Sequence, residues 1–414
     1  MFSLDRFYNI IHNNLIKPLE VLNRESCYFF PFGTYENVLV LNDTFNSVTE
    51  EFRSSRTGYL ICYFFDQEPF YEQTKIELEK AKRPGKFFIR RNRINILANS
   101  ERSSLLDDFL PSQDYYNWYY FFHGFAALAW YRDFQYVEPQ SFNRFDKVFI
   151  CHNHITSKYR SYRLHLVSNL IDQDLIQHGH VSLFADNWQQ TIEDPKNLLD
   201  GRARVKIYKT LKDVSLPIVN DTESPAGDLS ANINIDTLTS ALWHVVPETV
   251  YFLPKLHLTE KVFKPIVARR PFLLVAAPGN LAYLKSYGFK TFDRWIDESY
   301  DQEQDHYIRI EKITEELKKL CALDHSELVQ MHKDMQEVLD YNFNHFYGNF
   351  KKIIVDELVD NFADILTQVA ERPDSFGEYN NNGAYRDNLP YTFSKDSYHL
   401  SPEYLEQVKH RLTS

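Results

Sequence analysis

The sequence predicts an α/β protein of two domains built on parallel sheets. Short apolar runs alternate with stretches whose apolar residues recur at helical spacing over most of the chain, the pattern of α/β layers. One of those runs, PFLLVAA at 271–277, is apolar throughout, as a strand buried on both faces must be. The 414 residues exceed what one ordinary core supports, so two domains follow, with boundaries at 1–145 and 146–370 and a tail at 371–414.

In the first part the strand candidates are NVLVL (37–41), YLICYFF (59–65) and INILA (94–98). YYNWYYFFHGFAALAWYRDF, 115–134, is almost wholly aromatic and apolar and reads as core packing and interdomain surface. A second α/β unit begins at 146: KVFIC is a strand, HNHITSKYRS a polar loop, and YRLHLVSNLI a helix. Lys158, Arg160 and Arg163 cluster where that strand feeds the helix, the place at which an open parallel sheet binds ligands. A solvated basic face is the other account of the same trio. The stretch 186–240 is polar and reads as loops and short elements. LWHVVPETVYF (242–252) returns to strand character, with Glu248 and Thr249 at its end.

Thr259 is a good N-cap, which puts Glu260 and Lys261 in a first helical turn. Free N–H groups and the helix dipole favour an anion there, although a glutamate that only complements the dipole explains the same letters. Pro265 lies too deep for a first-turn proline and predicts a kink. Pro278 and Gly279 end the strand PFLLVAA, and a second helix follows. IDESYD, 296–301, is either a cation site or a solvated acidic turn. From 303 to 370 the pattern is mostly helical; NNNGAYRDN (380–388) reads as a flexible loop, and Ser401 with Pro402 opens a last helix, EYLEQVKHRL.

Composition and missing motifs argue against several function classes. A formal charge of -11 leaves no overall basic footprint for nucleic acid, and 12 glycines include no G-x-G-x-x-G and no P-loop. A G-x-S-x-G elbow and zinc spacings are missing too. Cys27, Cys62, Cys151 and Cys321 lie far apart and read as buried reduced thiols. The N-terminal stretch mixes charge with apolar residues, unlike a signal peptide, and no apolar run reaches the roughly 20 residues of a membrane span, so a soluble cytoplasmic protein is expected.

Thr259, Glu260, Lys261 and the strand after them resemble the donor-site motif of the α1,3-fucosyltransferase family. The longer pattern, through Gly288, Phe289, Lys290, Thr291 and Phe292 to IDESYD, is more similar to glycosyltransferases found in tailed bacteriophages. The resemblance implies two Rossmann-like domains of the GT-B type facing a central cleft, with a C-terminal helical tail. Residues 1–145 would form the acceptor domain and 146–370 the nucleotide-sugar donor domain, and the last helix would cross back to the first domain. A phosphate-contacting arginine is implied near the start of the donor domain: Arg163 is the first choice and Arg160 a close second, beside Lys158, and the spacing does not separate them. Glu260 would accept from ribose hydroxyls and Lys261 face phosphate, with Glu248 and Thr259 completing the donor set.

Transfer needs a base for the acceptor hydroxyl. Glu68 before Pro69 is similar to the Glu-containing, proline-ended motif that carries the base in the fucosyltransferase type, although the residue between them is absent here. Asp66 is the alternative, as is a turn in which the acidic residues have no chemical role. His123 reads as a core histidine or as a contact to the acceptor. No Asp-x-Asp ends a strand, and Asp172-Gln173-Asp174 falls at a helix end, so no metal or other cofactor is expected and basic groups take the place of a cation. The expected activity is inverting transfer from a nucleotide sugar to a hydroxyl, the acceptor being a glycan or lipid-linked saccharide. Modified bases of phage DNA are the alternative acceptor, and a non-catalytic glycan- or partner-binding protein of the same fold is the alternative function. For a phage-encoded protein the cytoplasm is that of the bacterial host.

Overall fold

A computed structural model of the chain describes residues 7, 10–16, 27–31, 60–66, 69–70, 75, 94–112, 115–135, 145–185, 187–194, 197–219, 230–371 and 400–413. NVLVL at 37–41, Glu68 and the loop at 380–388 lie outside the described residues. The architecture is α/β with parallel sheets. By contacts the chain forms two units, one from the described parts of 3–122 and 352–414, the other from 123–351. The divisions thus fall at 122/123 and 351/352, where the sequence predicts 145/146 and 370/371.

The first unit holds strands β1 (Cys27–Pro31), β2 (Leu60–Phe65), β3 (Ile94–Asn99) and β4 (Tyr115–Tyr119), side by side in chain order and all parallel. Two of these arise from the runs YLICYFF and INILA. β4 comes from the aromatic stretch, where continuous bulk hides any alternation. Ile96, Leu97, Ala98 and Trp118 are fully buried. Trp118 packs on Phe362 of the helix Phe350–Glu371, with ring centroids 4.6 Å apart, and donates from Nε1 to Leu358 O at 3.1 Å. The last helix, Pro402–Thr413, belongs to this unit: Tyr404 Oη donates to Asn14 O (2.8 Å), and Lys409 pairs with Asp360 (2.7 Å). Ser401 caps it by accepting from Tyr404 N.

The second unit carries β5 (Lys147–Cys151), β6 (Gly179–Val181), β7 (Ala241–Pro247) and β8 (Phe272–Val275), parallel and in the order β6-β5-β7-β8. From β5 the chain steps outward to β6 and then crosses back to β7. The crevice between the carboxyl ends of β5 and β7 is therefore a topological switch point, where open α/β sheets bind ligands. β7 is buried at all seven positions. Its one polar side chain, His244, is satisfied by Leu238 O at 2.8 Å, and burial pushes its imidazole down to about 3, so it is neutral.

The described residues of 186–240 are more regular than the sequence predicts. They contain Trp188–Glu193, Ile235–Thr239 and a full helix, Gly201–Leu211, capped by Asp200 accepting from Ala203 N at 2.8 Å. That helix buries only Ala203, Ile207, Thr210 and Leu211 and leaves Val205 and Tyr208 exposed among charged residues, so its apolar residues do not mark one face clearly. Between 303 and 371 the helices His306–Cys321, His325–Asp334, Gln336–Tyr347 and Phe350–Glu371 follow as expected. No described helix is long and apolar enough to cross a membrane.

Candidate functional site

The switch-point crevice of the second unit is framed by two segments, 152–163 after β5 and 248–264 after β7. Two neighbouring side chains of the helix Tyr162–Asp172 tie them together. Arg163 donates from Nη1 to Ile155 O (2.9 Å) and from Nη2 to Pro247 O (3.0 Å), while Tyr162 Oη donates to Glu248 O at 2.5 Å. Burial outweighs the nearby arginines and raises the Tyr162 hydroxyl, which keeps it a neutral donor. The guanidinium of Arg163, only 5% exposed, is thus occupied by main-chain carbonyls on both sides of the crevice. Lys158 and Arg160, in a short 3-10 turn before the helix, are half-buried and carry the positive charge that solvent can reach. Lys158 holds a left-handed backbone at φ 53, a conformation that costs a non-glycine residue energy and collects at functional sites.

Across the crevice, Glu248 is fully buried and locks the turn that follows. Its carboxylate accepts from Thr259 Oγ1 (2.5 Å), Thr259 N (3.2 Å) and Thr249 N (3.3 Å). Thr259 is the N-cap the sequence predicts, accepting from Lys261 N at 3.5 Å and from Lys261 Nζ at 3.1 Å. What it caps is different from the expected helix. Glu260–Val262 is a 3-10 turn, and the α-helix starts afresh at Phe263 and runs only to Val267. Pro265 is therefore the third residue of an α-helix, where its missing N–H has no intrahelical partner in any case, and the expected kink becomes a restart. Five residues sum to a weak dipole, so the site's charge comes from side chains.

Glu260 is 5% exposed and bridges two partners: Oε1 lies 3.3 Å from Lys261 Nζ, and Oε2 lies 3.3 Å from His123 Nδ1. Burial works to raise its carboxyl, but Lys261 and the His123 hydrogen bond overcome this and hold it well below the usual carboxylate range. His123 in turn meets the buried His257 edge to face, ring centroids 5.1 Å apart. Asn280 fixes that histidine's main chain, accepting from His257 N at 3.0 Å while donating to Lys255 O and Ala277 O. Tyr131 completes the cluster: its hydroxyl donates to Ser230 O and is raised well above the usual range by burial and by Glu260 and Glu248. His257, Tyr131, Tyr162 and Asn280 escape notice in the sequence, since each gains its place only when distant segments meet.

The first unit presents its own polar edge. Asp66, just past β2, is fully buried; its carboxylate accepts from Tyr120 Oη and its carbonyl from Ser100 Oγ at 2.6 Å. Glu101, after β3, accepts from Phe70 N (2.7 Å) and Ser103 Oγ (2.6 Å). Glu68 lies outside the described residues.

Three carboxylates of the acidic run 296–301 accept hydrogen bonds from neighbouring groups of the chain. Asp301, 5% exposed, caps the helix Asn280–Ser286 by accepting from Leu281 N at 3.0 Å, next to Gly279 at φ 84. Glu298 accepts from Thr291 Oγ1 and Phe292 N, both at 2.7 Å, and Asp297 caps its own 3-10 turn. Asp172 accepts from Thr210 Oγ1 at 2.6 Å. Among the described residues no cluster of His, Cys, Asp and Glu is arranged to hold a metal ion. No family model, no curated protein and no solved structure matches the chain.

Proposed function

We propose that the second unit binds a nucleotide sugar at its switch point and that the chain is an inverting, metal-independent glycosyltransferase of the GT-B type, its two Rossmann-like units facing a common cleft. The observation that carries this is the crevice itself. The segments that flank it bear half-exposed cations, Lys158 and Arg160 on one side and Lys261 on the other, and Arg163, Tyr162 and the Glu248–Thr259 contact tie these segments together. Cations fixed in this way stabilise a diphosphate and the charge that grows on it as the sugar leaves. Arg160, Lys158 and Lys261 are the proposed phosphate contacts. Arg163, Glu248 and Thr259 give the crevice its shape, and Glu260 sets the position of the Lys261 ammonium.

On this proposal the sugar passes to a hydroxyl of a glycan, and the acidic balance of the chain favours that acceptor over DNA. The resemblance to the fucosyltransferase type offers Glu68 as base. Asp66, buried and accepting from Tyr120 Oη, suits a structural role. A thermal-shift screen against UDP, GDP, ADP and CMP sugars tests the proposal, because a ligand bound only by the folded state raises the melting temperature by mass action. One nucleotide class is expected to stabilise the protein. A chain indifferent to all four has another function, with the non-catalytic glycan binder next in line.

A further inference from the structure

His165 is a buried titratable group with no place in the proposed chemistry. It lies in the helix Tyr162–Asp172, which packs against the helices Gly201–Leu211 and His306–Cys321. The residue is wholly buried, and among the described residues neither ring nitrogen has a hydrogen-bond partner. The ring stacks on Tyr307 with centroids 4.6 Å apart, and the Arg202 guanidinium lies 4.7 Å from the centroid of that tyrosine. Glu311 Oε1 stands 3.9 Å from His165 Nε2, beyond hydrogen-bond reach, and is already engaged by Asn169 Nδ2 at 2.9 Å and Lys206 Nζ at 3.6 Å. Asp200 and Asp305 are taken up by Arg202 at 2.6 and 2.7 Å, and Asp172 by Lys206 at 3.5 Å. A neutral ring is tolerated in this setting. An imidazolium would meet Lys206, Arg202 and His306 in a buried contact whose carboxylates have other partners. Burial, with Lys206 next, pushes the imidazole down to about 3 against the pull of Asp200.

We propose that His165 makes this three-helix junction acid-sensitive: with one proton taken from solvent the ring becomes a cation that the junction cannot hold, and Gly201–Leu211 and His306–Cys321 part from Tyr162–Asp172 before the sheet of the unit unfolds. The inference stands apart from the nucleotide-sugar proposal. In the closed junction the ring binds its proton near 3, and once open to water it binds near the ordinary 6.5. The stabilisation contributed by the neutral ring is therefore fully present above 6.5 and is lost as pH falls from there towards 3. The ionisable groups gathered around the ring are Asp200, Arg202 and Lys206 from one packed helix and its cap, and Asp305, His306, Tyr307 and Glu311 from the other, with Asp172 on the ring's own helix. His306, lowered chiefly by burial, works in the same direction. Tyr162 and Arg163 lie in the first turn of the helix that carries His165, so a helix set loose there relaxes both ties across the crevice.

The test is amide hydrogen exchange of the full chain at pH 7 and pH 5, each rate divided by its intrinsic value at that pH. Protection of 162–172, 201–211 and 306–321 is expected to fall by about twentyfold or more between the two, the ratio set by proton binding near 3 in the closed junction and 6.5 in the open one. The strands at 147–151 and 241–247 are expected to keep theirs. His165→Phe retains a ring against Tyr307 and His165→Gln a polar side chain, and neither binds a proton; each should shrink the fall to less than about fivefold. A second measurement needs no variant: the His165 ring, followed by NMR with labelled histidine, should still be neutral at pH 5 in the folded parent. Parental protection unchanged at pH 5, a loss shared equally by the strands, a fall of full size in a folded His165 variant, or a ring that titrates near 6.5 in the folded protein overturns the inference. Should neither variant fold, the parent's exchange pattern and its ring titration decide.

Discussion

Replacing Arg163 with alanine separates a structural arginine from a ligand-binding one. In the structure its guanidinium spends two good hydrogen bonds on Ile155 O and Pro247 O, at 2.9 and 3.0 Å, and the contact to Glu248 O at 3.5 Å is too long to add much. Hydrogen bonds from a charged donor contribute roughly 1.5 to 3 kcal/mol each. Water entering the gap restores part of what the carbonyls lose, so roughly 3 to 4 kcal/mol is the expected cost. At about 2 to 4 °C per kcal/mol for a unit of this size, the melting temperature should fall by roughly 6 to 16 °C. The assay is calorimetric unfolding of the nucleotide-free protein, with urea midpoints as a check. Arg160→Ala is the partner variant, expected to melt within about 1 to 2 °C of the parent and to weaken nucleoside diphosphate binding. An Arg163→Ala protein that melts like the parent but no longer binds diphosphate would refute the staple and make Arg163 the phosphate ligand.

Three further outcomes follow from the same geometry. Lys261→Ala should lower nucleoside diphosphate affinity by about ten- to a hundredfold in calorimetry and also lower stability in urea unfolding, because it removes the ammonium that helps hold the buried Glu260 carboxylate ionised. The depressed carboxyl of Glu260 binds its proton less readily in the folded than in the unfolded chain, so its stabilisation is fully present above the ordinary glutamate value of 4.5 and is lost as pH falls below it; Glu260→Gln should flatten that acid limb in unfolding measured against pH. Gly288→Ala should lower stability by about 1 to 3 kcal/mol in urea unfolding, since φ there is +91° and the new Cβ would lie 2.9 Å from the ring of His345, itself held by Tyr287 O at 2.7 Å.

How much of this was legible depends on whether the physics is local. β2, β3, β5, β7 and β8 lie within continuous apolar runs, and Thr259 announces itself as a cap because a side-chain oxygen before a turn needs only its near neighbours. The three-residue β6 is too short to carry a periodic signal, and β4 is lost in the bulk of its aromatic neighbours. The restart at Phe263 depends on how the 3-10 turn packs, so Pro265 read as a defect in a longer helix. The partners of the site are long-range: Arg163 turns to carbonyls, which no sequence pattern marks, Glu248 finds Thr259 across a loop, and His123 meets Glu260 from a segment far back in the chain. The carboxylates of 296–301 were legible as acidic and illegible as caps, since Asp301 reaches back to the helix at Asn280.

Amide hydrogen exchange with and without the nucleoside diphosphate selected by the thermal screen tests the central claim most directly, because it locates the bound nucleotide on the chain. Binding at the switch point predicts slowed exchange in 152–163 and 248–264, with the effect abolished or greatly reduced in Lys261→Ala at the same nucleotide concentration. Protection confined to other segments, or protection of these two that survives Lys261→Ala unchanged, would contradict a donor site built on this crevice.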